Sequence, residues 1–508
     1  MDDKKDEKKS MEDKELMLFQ LGPVQDFIAQ AETLEDLREG SRMLSEWTAA
    51  ALRAIPDYAT NAVFPAVASD DPKALEGIPN RFLVFVPKDQ GEALAKAAAE
   101  AAQARLCEMA NEAFAKLSKD DAMLANRRAE FDKQVGAFLQ TSWAVLKSPV
   151  ADMGENYETI GRLMALRRNV RAFDAWPEEE NGRVKDFLSG REAALDVADN
   201  GAPNRNCGRG ALNLIKKART KDEPVAASAA FAALRTEPYI AVLALDGDHM
   251  GGTLSGFKTQ DEHRKFSEEL ATFARSVTIA PDDGFLVYAG GDDVLAVVKA
   301  TRAFEIAKTL AAKFKQDVGH GLTASVGLAI GSTKAPLQDL VREAHNAESR
   351  AKHDYGRDAL AVSVLKRSGE ILHWGCKWDS AAFEIYRCLA EQEGAFSRFA
   401  YKLAGFLEPY DLGGRDEKGK LVVDWEKMSG VVLAETQHAL GQMDDKDKVA
   451  KVQNVLTDEL LEKYLKEDSV KAHPEDYLGL FLCEAFINRK RSGDEKEQNS
   501  ETEKENCK

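Results

Sequence analysis

Phe285-Leu286-Val287-Tyr288-Ala289-Gly290-Gly291-Asp292-Asp293-Val294-Leu295-Ala296-Val297-Val298 is the most legible stretch of the chain. Two apolar runs flank a short segment of turn residues. That pattern predicts a β-hairpin, with a strand over Phe285–Tyr288, a tight turn at Gly290-Gly291 and a returning strand over Val294–Val298. The glycines supply positive φ and allow a large ligand close to the backbone. Asp292 and Asp293 then stand at the tip, outside the apolar strands. Adjacent carboxylates repel each other, so the pair points to a neutralising cation. Mg²⁺ suits it, because that ion takes oxygen ligands and is commonly held by one or two carboxylates plus substrate phosphates. A solvated turn is the plain alternative, since Asp and Gly are ordinary turn residues.

Upstream, Tyr239–Leu245 is a near-continuous apolar run that ends in Asp246, the pattern of a buried strand. Glu262–Val277 reads as a helix between this strand and the hairpin. After the hairpin come a helix over Ala303–Phe314, a strand over Thr323–Ile330, a helix over Leu337–Lys352 and a strand over Leu360–Leu365. The fold class is α+β, and the core of this order is the β-α-β-β-α-β of ferredoxin-like folds. In such a core the first strand lies beside the hairpin. Asp246 and Asp292, with Asp293 in support, could then hold two Mg²⁺ or Mn²⁺ ions for phosphoryl transfer. Asp248, His249, Gly251, Gly252, Gly290 and Gly291 are candidate nucleotide contacts. The Met250-Gly251-Gly252 turn could offer backbone N–H groups to a phosphate, and His249 reads as structural or ribose-facing rather than as a metal ligand. Lys352 ends a helix and Arg357 follows a glycine turn. Cations are common at helix C-termini for dipole reasons alone; the functional reading is a triphosphate clamp.

The rest of the chain reads as flanking domains. It has 508 residues, 44% hydrophobic and 31% charged, which predicts a globular protein of two to four domains. No apolar run approaches the roughly 18 residues of a membrane span, and the charged N-terminus lacks a signal-peptide core. The six cysteines include no Cys-x-x-Cys pair, so neither a disulfide framework nor a four-cysteine zinc site is expected. All of this suits a cytoplasm. The net charge of −17 argues against coating nucleic acid through the bulk field. Two basic clusters, Arg162/Arg167/Arg168/Arg171 and Lys216/Lys217/Arg219, read as solvated helix faces before phosphate clamps. The expected divisions are disordered tails at 1–15 and 491–508, a mixed α/β domain at 16–148, an irregular insert of short helices at 149–233, the carboxylate-bearing domain at 234–368 and a helical domain at 369–490. In the last, Trp374, Trp378, Phe383, Tyr386 and Leu389 recur near helical spacing and read as core.

Asp246-Gly247-Asp248, Gly290-Gly291-Asp292-Asp293 and Ala351-Lys352 to Gly356-Arg357 together resemble the palm of diguanylate cyclases. They are still more similar to the palm of the large signature subunit of type III CRISPR–Cas effector complexes. Leu21-Gly22-Pro23-Val24-Gln25-Asp26-Phe27-Ile28, Gly40-Ser41-Arg42-Met43-Leu44-Ser45, Gly77-Ile78-Pro79-Asn80-Arg81-Phe82, Pro336-Leu337 and Lys366-Arg367-Ser368-Gly369 narrow the likeness to the type III-B (Cmr) branch. The resemblance covers about 16–369. It implies two ferredoxin-like palms of the GGDEF/cyclase type, the first catalytically silent, with a helical insert between them and a helical C-terminal domain. It implies ATP as substrate, an oligoadenylate second messenger as product, and partners in the other Cmr subunits, a guide CRISPR RNA and a target RNA, with no membrane. No histidine precedes His249, so the family's His-Asp nuclease domain is expected to be missing. Phe187–Glu192, with Cys207 nearby, corresponds to the family's zinc region, and no zinc is expected there. Three alternatives stay open: the same palm joining ATP to S-adenosylmethionine, a non-catalytic scaffold that binds guide RNA, and a GTP-using diguanylate-cyclase-like enzyme. The extra first domain argues against the last.

Overall fold

The computed structural model describes residues 13–67, 75, 77–119, 121–169, 184–197, 208–220, 225–390, 397–443 and 456–488. Arg171, Cys207 and the tail at 491–508 lie outside these residues.

The first domain contains β1 (Lys14–Gly22), α1 (Leu34–Arg53), β2 (Ala62–Phe64), β3 (Arg81–Pro87), α2 (Gly91–Leu117) and β4 (Gln140–Leu146). Strand β1 takes in Lys14 and Glu15, which sequence assigns to the tail; Glu15 is buried and its carboxylate accepts from the Gly91 N–H at 2.9 Å. The four strands pair antiparallel in the order β2-β3-β1-β4, the ferredoxin-like arrangement. Alternation along the strands separates two faces. Met17, Phe19, Phe82 and Val84 pack against α1 and α2, where Trp47 and Leu106 are fully buried. Leu16, Leu83 and Phe85 face the other way, onto Met153, Ile160 and Met164 of α3 (Met153–Asn169). The expected insert therefore opens with a long helix that belongs to the first domain's packing. Its α4 (Ala211–Thr220) also joins the core beneath α1 and α2.

The basic cluster on α4 is not a solvated face. Lys216 is buried, donating to the carbonyls of Phe27 and Gln30, and Arg219 bonds Glu39 and Glu46. Nearby, the carboxylate of Asp186 shapes the loop that begins at Phe187. It accepts from the N–H groups of Leu188 (2.7 Å), Ser189 (2.9 Å) and Gly210 (2.6 Å) and from the Asn213 side chain (2.8 Å).

The second domain repeats the plan. It runs β5 (Tyr239–Gly247), α5 (Met250–Gly256), α6 (Gln260–Ser276), β6 (Gly284–Gly290), β7 (Asp293–Lys299), α7 (Ala303–Val318), β8 (Ala324–Ser332), α8 (Leu337–His353), β9 (Ala359–Leu365) and β10 (Ile371–Lys377). The sheet order is β10-β9-β8-β5-β7-β6. Its β8-β5-β7-β6 portion is again ferredoxin-like, and β9 extends it by parallel pairing with β8. Odd-numbered residues of β5 face α6 and α7, and even-numbered ones face α8 and the first domain. The sheet is thus covered on both sides, as its unbroken apolar runs require.

Two expectations are corrected here. Gly251 and Gly252 lie in the first turn of a short helix, α5, rather than in an open turn. The C-terminal block begins with a strand, not a helix: β10 pairs antiparallel with β9, and Trp374 stands on it, stacked on Phe304. The aromatic series remains core, but across a strand, a turn and a helix. Helices α9 (Ala382–Ala390), α10 (Ser397–Leu407), α11 (Trp425–Gly441), α12 (Asp458–Leu465) and α13 (Glu475–Asn488) follow. Many of their apolar side chains share the core beneath the second sheet. Among the described residues, no helix is long and apolar enough to cross a membrane.

Candidate active site

Gly290 of β6 pairs directly with Asp293 of β7, so the two-residue turn is Gly291-Asp292 rather than Gly290-Gly291. Gly291 has φ +74°, and glycine at the first turn position matches the twist of the flanking strands. Asp292 therefore sits in the turn itself, beside the end of β5. A Cβ at Gly247 would stand 3.1 Å from the Asp292 Cβ and 2.8 Å from the Phe314 ring, so only glycine allows this approach. Strand β5 pairs with β7 up to Leu245–Val294, which brings Asp246 to the same end of the sheet as Asp292 and Asp293.

The three carboxylates keep part of their surface open. Their electrostatics is that of a crowded anionic site. Burial and the charge of Asp246 push the Asp292 carboxyl above its ordinary range. Burial, then a bond to Asp246, pushes Asp293 well above it. Tyr288, packed among these groups, is raised by burial and then by Asp293. Two cations oppose the negative charge. Arg81 of β3 reaches over from the first domain, its guanidinium 5.6 Å from the Phe64 ring centroid, and lowers both hairpin carboxyls. Lys352 ends α8 with its ammonium on the Asp246 carboxylate and 2.7 Å from Glu348. Burial alone would depress Lys352, but its bonds to Asp246 and Glu348 outweigh that and raise it.

Helix α8 can deliver Lys352 because it lies almost on β8. A Cβ at Gly327 would collide with the Ala344 carbonyl and the Glu348 N–H. Sequence reasoning singled out neither Gly327, Glu348 nor Arg81 for the site. Glu348 precedes Lys352 by four positions, a spacing that places both on one helix face. The glycine lay hidden inside an apolar strand.

The remaining candidates divide. Asp248 is not available to a ligand as expected. It is fully buried, accepts from Thr323 (2.8 Å), Ser325 (2.8 Å) and the Asp358 N–H (3.0 Å), and ties β5 to the turn before β9. His249 is exposed, with φ +60° at the N-terminus of α5. Gly251 and Gly252 are exposed in the first turn of α5 with open space around their Cα atoms, and first-turn N–H groups lack intrahelical acceptors. Gly290 and Gly291 lie against Pro79 and Phe64 of the first domain. Arg357 has φ +63°, and its Nε is buried without a hydrogen-bond partner among the described residues.

A cleft of about 2300 Å³ opens between the two domains. Arg38, Arg42, Arg53, Arg168 and Arg275 line it, and Gly290, Gly291 and Asp293 form part of its wall. Arg167 and Arg168 of the first basic cluster are thereby placed at the cleft, whereas Arg162 pairs with Glu158 on α3.

Among the described residues, no three Asp, Glu, His or Cys side chains stand as a ready ligand set for a metal ion. The chemistry of the site nevertheless fits a hard divalent cation. The donors are all carboxylate oxygens, their mutual repulsion is only partly offset, and the Lys352 ammonium already supplies positive charge at Asp246.

Comparison with known proteins agrees with this architecture. The family model "Cas10/Cmr2, second palm domain" matches residues 239–361, and "CRISPR-associated protein Cmr2, N-terminal" matches residues 16–115. The Cmr2 subunit of the CRISPR Cmr system of Pyrococcus furiosus is 27% identical over 267 residues, covering 43% of this chain and 31% of that protein. The single-strand-specific deoxyribonuclease Cas10/Csm1 of subtype III-A from Streptococcus thermophilus is 25% identical over 229 residues, covering 41% of this chain and 28% of that protein. Either match spans about three-tenths of the relative's length. The apo Csm1–Csm4 cassette superposes with a TM-score of 0.52 at 14% identity, over 93% of this chain and 70% of the other. The cassette solved in complex with pppApA gives 0.50 at 16% identity, over 91% and 71%. With the N-terminal and second-palm matches following one another along a single chain, residues 16–115 and 239–361 are similar, in that order, to the two corresponding segments of the Cas10/Cmr2 large subunits of type III CRISPR systems.

Proposed function

We propose that this chain is the nucleotidyltransferase of a type III-B complex, joining ATP-derived units into an oligoadenylate second messenger with release of pyrophosphate. The observation that carries this reading is the convergence of Asp246, Asp292 and Asp293 at one end of the second sheet, facing cations from α8 and from the first domain. These carboxylates would hold Mg²⁺ or Mn²⁺, which when bound would lower the pKa of an attacking hydroxyl and offset charge on the leaving group. Lys352 and Arg357 supply positive charge to the triphosphate. Gly247 and Gly291 keep backbone bulk away from the reacting groups. The cleft, walled by both domains and lined with arginine, can accommodate a second nucleotide beside the first. The Csm1–Csm4 cassette, whose fold this chain shares, has been solved with pppApA, and adenylate binding is carried over from it as part of this proposal. The other Cmr subunits, guide RNA and an activating target RNA are proposed partners on the same family grounds.

One observation favours a second reading. Lys352 pairs with Asp246, and no metal-ligand set is preassembled among the described residues. A non-catalytic scaffold subunit would be under no pressure to avoid this. Mass identification of products separates the readings. The assembled complex is incubated with target RNA, Mn²⁺ and either ATP, GTP or ATP plus S-adenosylmethionine. Oligoadenylates from ATP alone are expected. Products only with GTP, or only with S-adenosylmethionine, would replace the proposed substrate pair, and no products at all would leave the scaffold.

A further inference from the structure

The loop between α8 and β9 joins Lys352 to Arg357, and its backbone is strained. Gly356, Arg357 and Asp358 have φ of +67°, +63° and +46° in succession. L-residues avoid this region, because it brings Cβ close to the backbone carbonyl. Such a run persists only where the surroundings fix it. Lys377 of β10 donates to the carbonyls of Gly356 (3.0 Å) and Arg357, while Asp248, one residue past β5, accepts from the Asp358 N–H. A third hold comes from the C-terminal domain. The Tyr355 hydroxyl donates to Asp476 at 2.7 Å, both residues being buried. A Cβ at Gly375 would fall on the Tyr355 ring, and the His473 ring lies 5.1 Å from it. Asp476 is itself fixed at the start of α13, where its N–H donates to the His473 carbonyl at 3.0 Å.

We infer that Asp476, acting through Tyr355, is a positioning residue for the Lys352–Arg357 loop, so that the C-terminal helical domain sets how the palm grips a triphosphate. This rests on the proposed phosphate role of Lys352 and Arg357. It assigns the C-terminal domain a part in substrate binding beyond packing. A displacement of α13 would reach the loop through the Tyr355–Asp476 hydrogen bond and the neighbouring His473 ring.

The test uses the full chain and measures binding of a non-hydrolysable ATP analogue and of AMP by calorimetry. Tyr355→Phe keeps the ring and removes only the hydroxyl. It should weaken the ATP analogue by about three- to tenfold, the order one hydrogen bond is worth, and leave AMP within about twofold. Asp476→Asn retains an acceptor and should restore most of the affinity that Asp476→Ala loses. Equal loss of AMP and ATP-analogue affinity, or a lowered Tm with unchanged ATP-analogue affinity, would overturn the inference by making the contact structural only. Lys352→Ala, measured alongside, separates the two layers of the argument. If it weakens the ATP analogue and Tyr355→Phe does not, the positioning role alone fails; if it has no effect, the phosphate reading of this loop fails with it.

Discussion

Asp293 is held well above the ordinary carboxyl range by burial and by its bond to Asp246, and Asp292 is raised by burial and the same neighbour. A carboxyl whose folded pKa exceeds its unfolded value binds more protons in the folded state. Folding stability therefore falls as pH rises from the unfolded value, about 4, through the folded one. Asp293→Asn should raise Tm at pH 8, with the gain shrinking as pH is lowered toward 4, while ATP consumption disappears. An unchanged or lower Tm at pH 8 would contradict the crowded-carboxylate account. Lys216 has the opposite linkage. Burial lowers it to about 7, against an ordinary value of 10.5. Between those pH values the unfolded chain carries a proton that the folded chain has released, so stability should rise with pH by up to about 1.4 kcal/mol per unit. Lys216→Met, compared with the parent by urea unfolding at pH 7 and pH 9, should lose this slope. The convergence of Asp246, Asp292 and Asp293 was legible in sequence because turn chemistry and strand ends mark them. Asp248 was misassigned because burial cannot be seen in a motif: it lies one residue past the end of β5, where the chain turns and its carboxylate accepts from Thr323 and Ser325.

At the scale of elements, the site depends on how closely α8 lies on β8. Gly327→Ala would drive a methyl group into the Ala344 carbonyl and the Glu348 N–H. Helix α8 must then lift, at a cost on the order of 3 kcal/mol, and carry Lys352 away from Asp246. Both unfolding midpoint and turnover should fall, whereas Gly252→Ala, at an open exposed position, should leave stability nearly unchanged. The hairpin and β5 were readable from unbroken apolar runs ending in aspartate. Strand β10 was not, since His373, Trp374 and Gly375 in succession break the apolar run of Ile371–Lys377, and only pairing with β9 marks it as a strand. Helix α5 was missed for the related reason that three glycines in seven residues predict a turn; here the Met250, Leu254 and Phe257 side chains packed on the core hold it helical.

At the scale of the molecule, two domains with the same strand order are locked together around the cleft. Arg264 of α6 donates to the carbonyls of Ala59 (2.7 Å), Thr60 (2.6 Å) and Ala62 (3.1 Å), and Ser267 accepts from the Ala66 N–H at 2.7 Å. Arg264→Ala should loosen this junction, lowering the unfolding midpoint and raising KM for ATP, although no carboxylate is touched. The repeat came from the family resemblance and could not be read from the residue patterns themselves. The sheets share an order of pairing, whereas β2 has three residues and β6 has seven, so the apolar patterns of the two copies do not align. The second domain's carboxylates are proposed to catalyse nucleotidyl transfer. The most direct measurement is pyrophosphate release from ATP by the target-RNA-bound complex, made with the parent chain and with Asp292→Ala/Asp293→Ala. Release should fall by on the order of 10³-fold in the double variant while the complex still assembles. Equal release from both, or none from the parent, would rule out catalysis by these carboxylates.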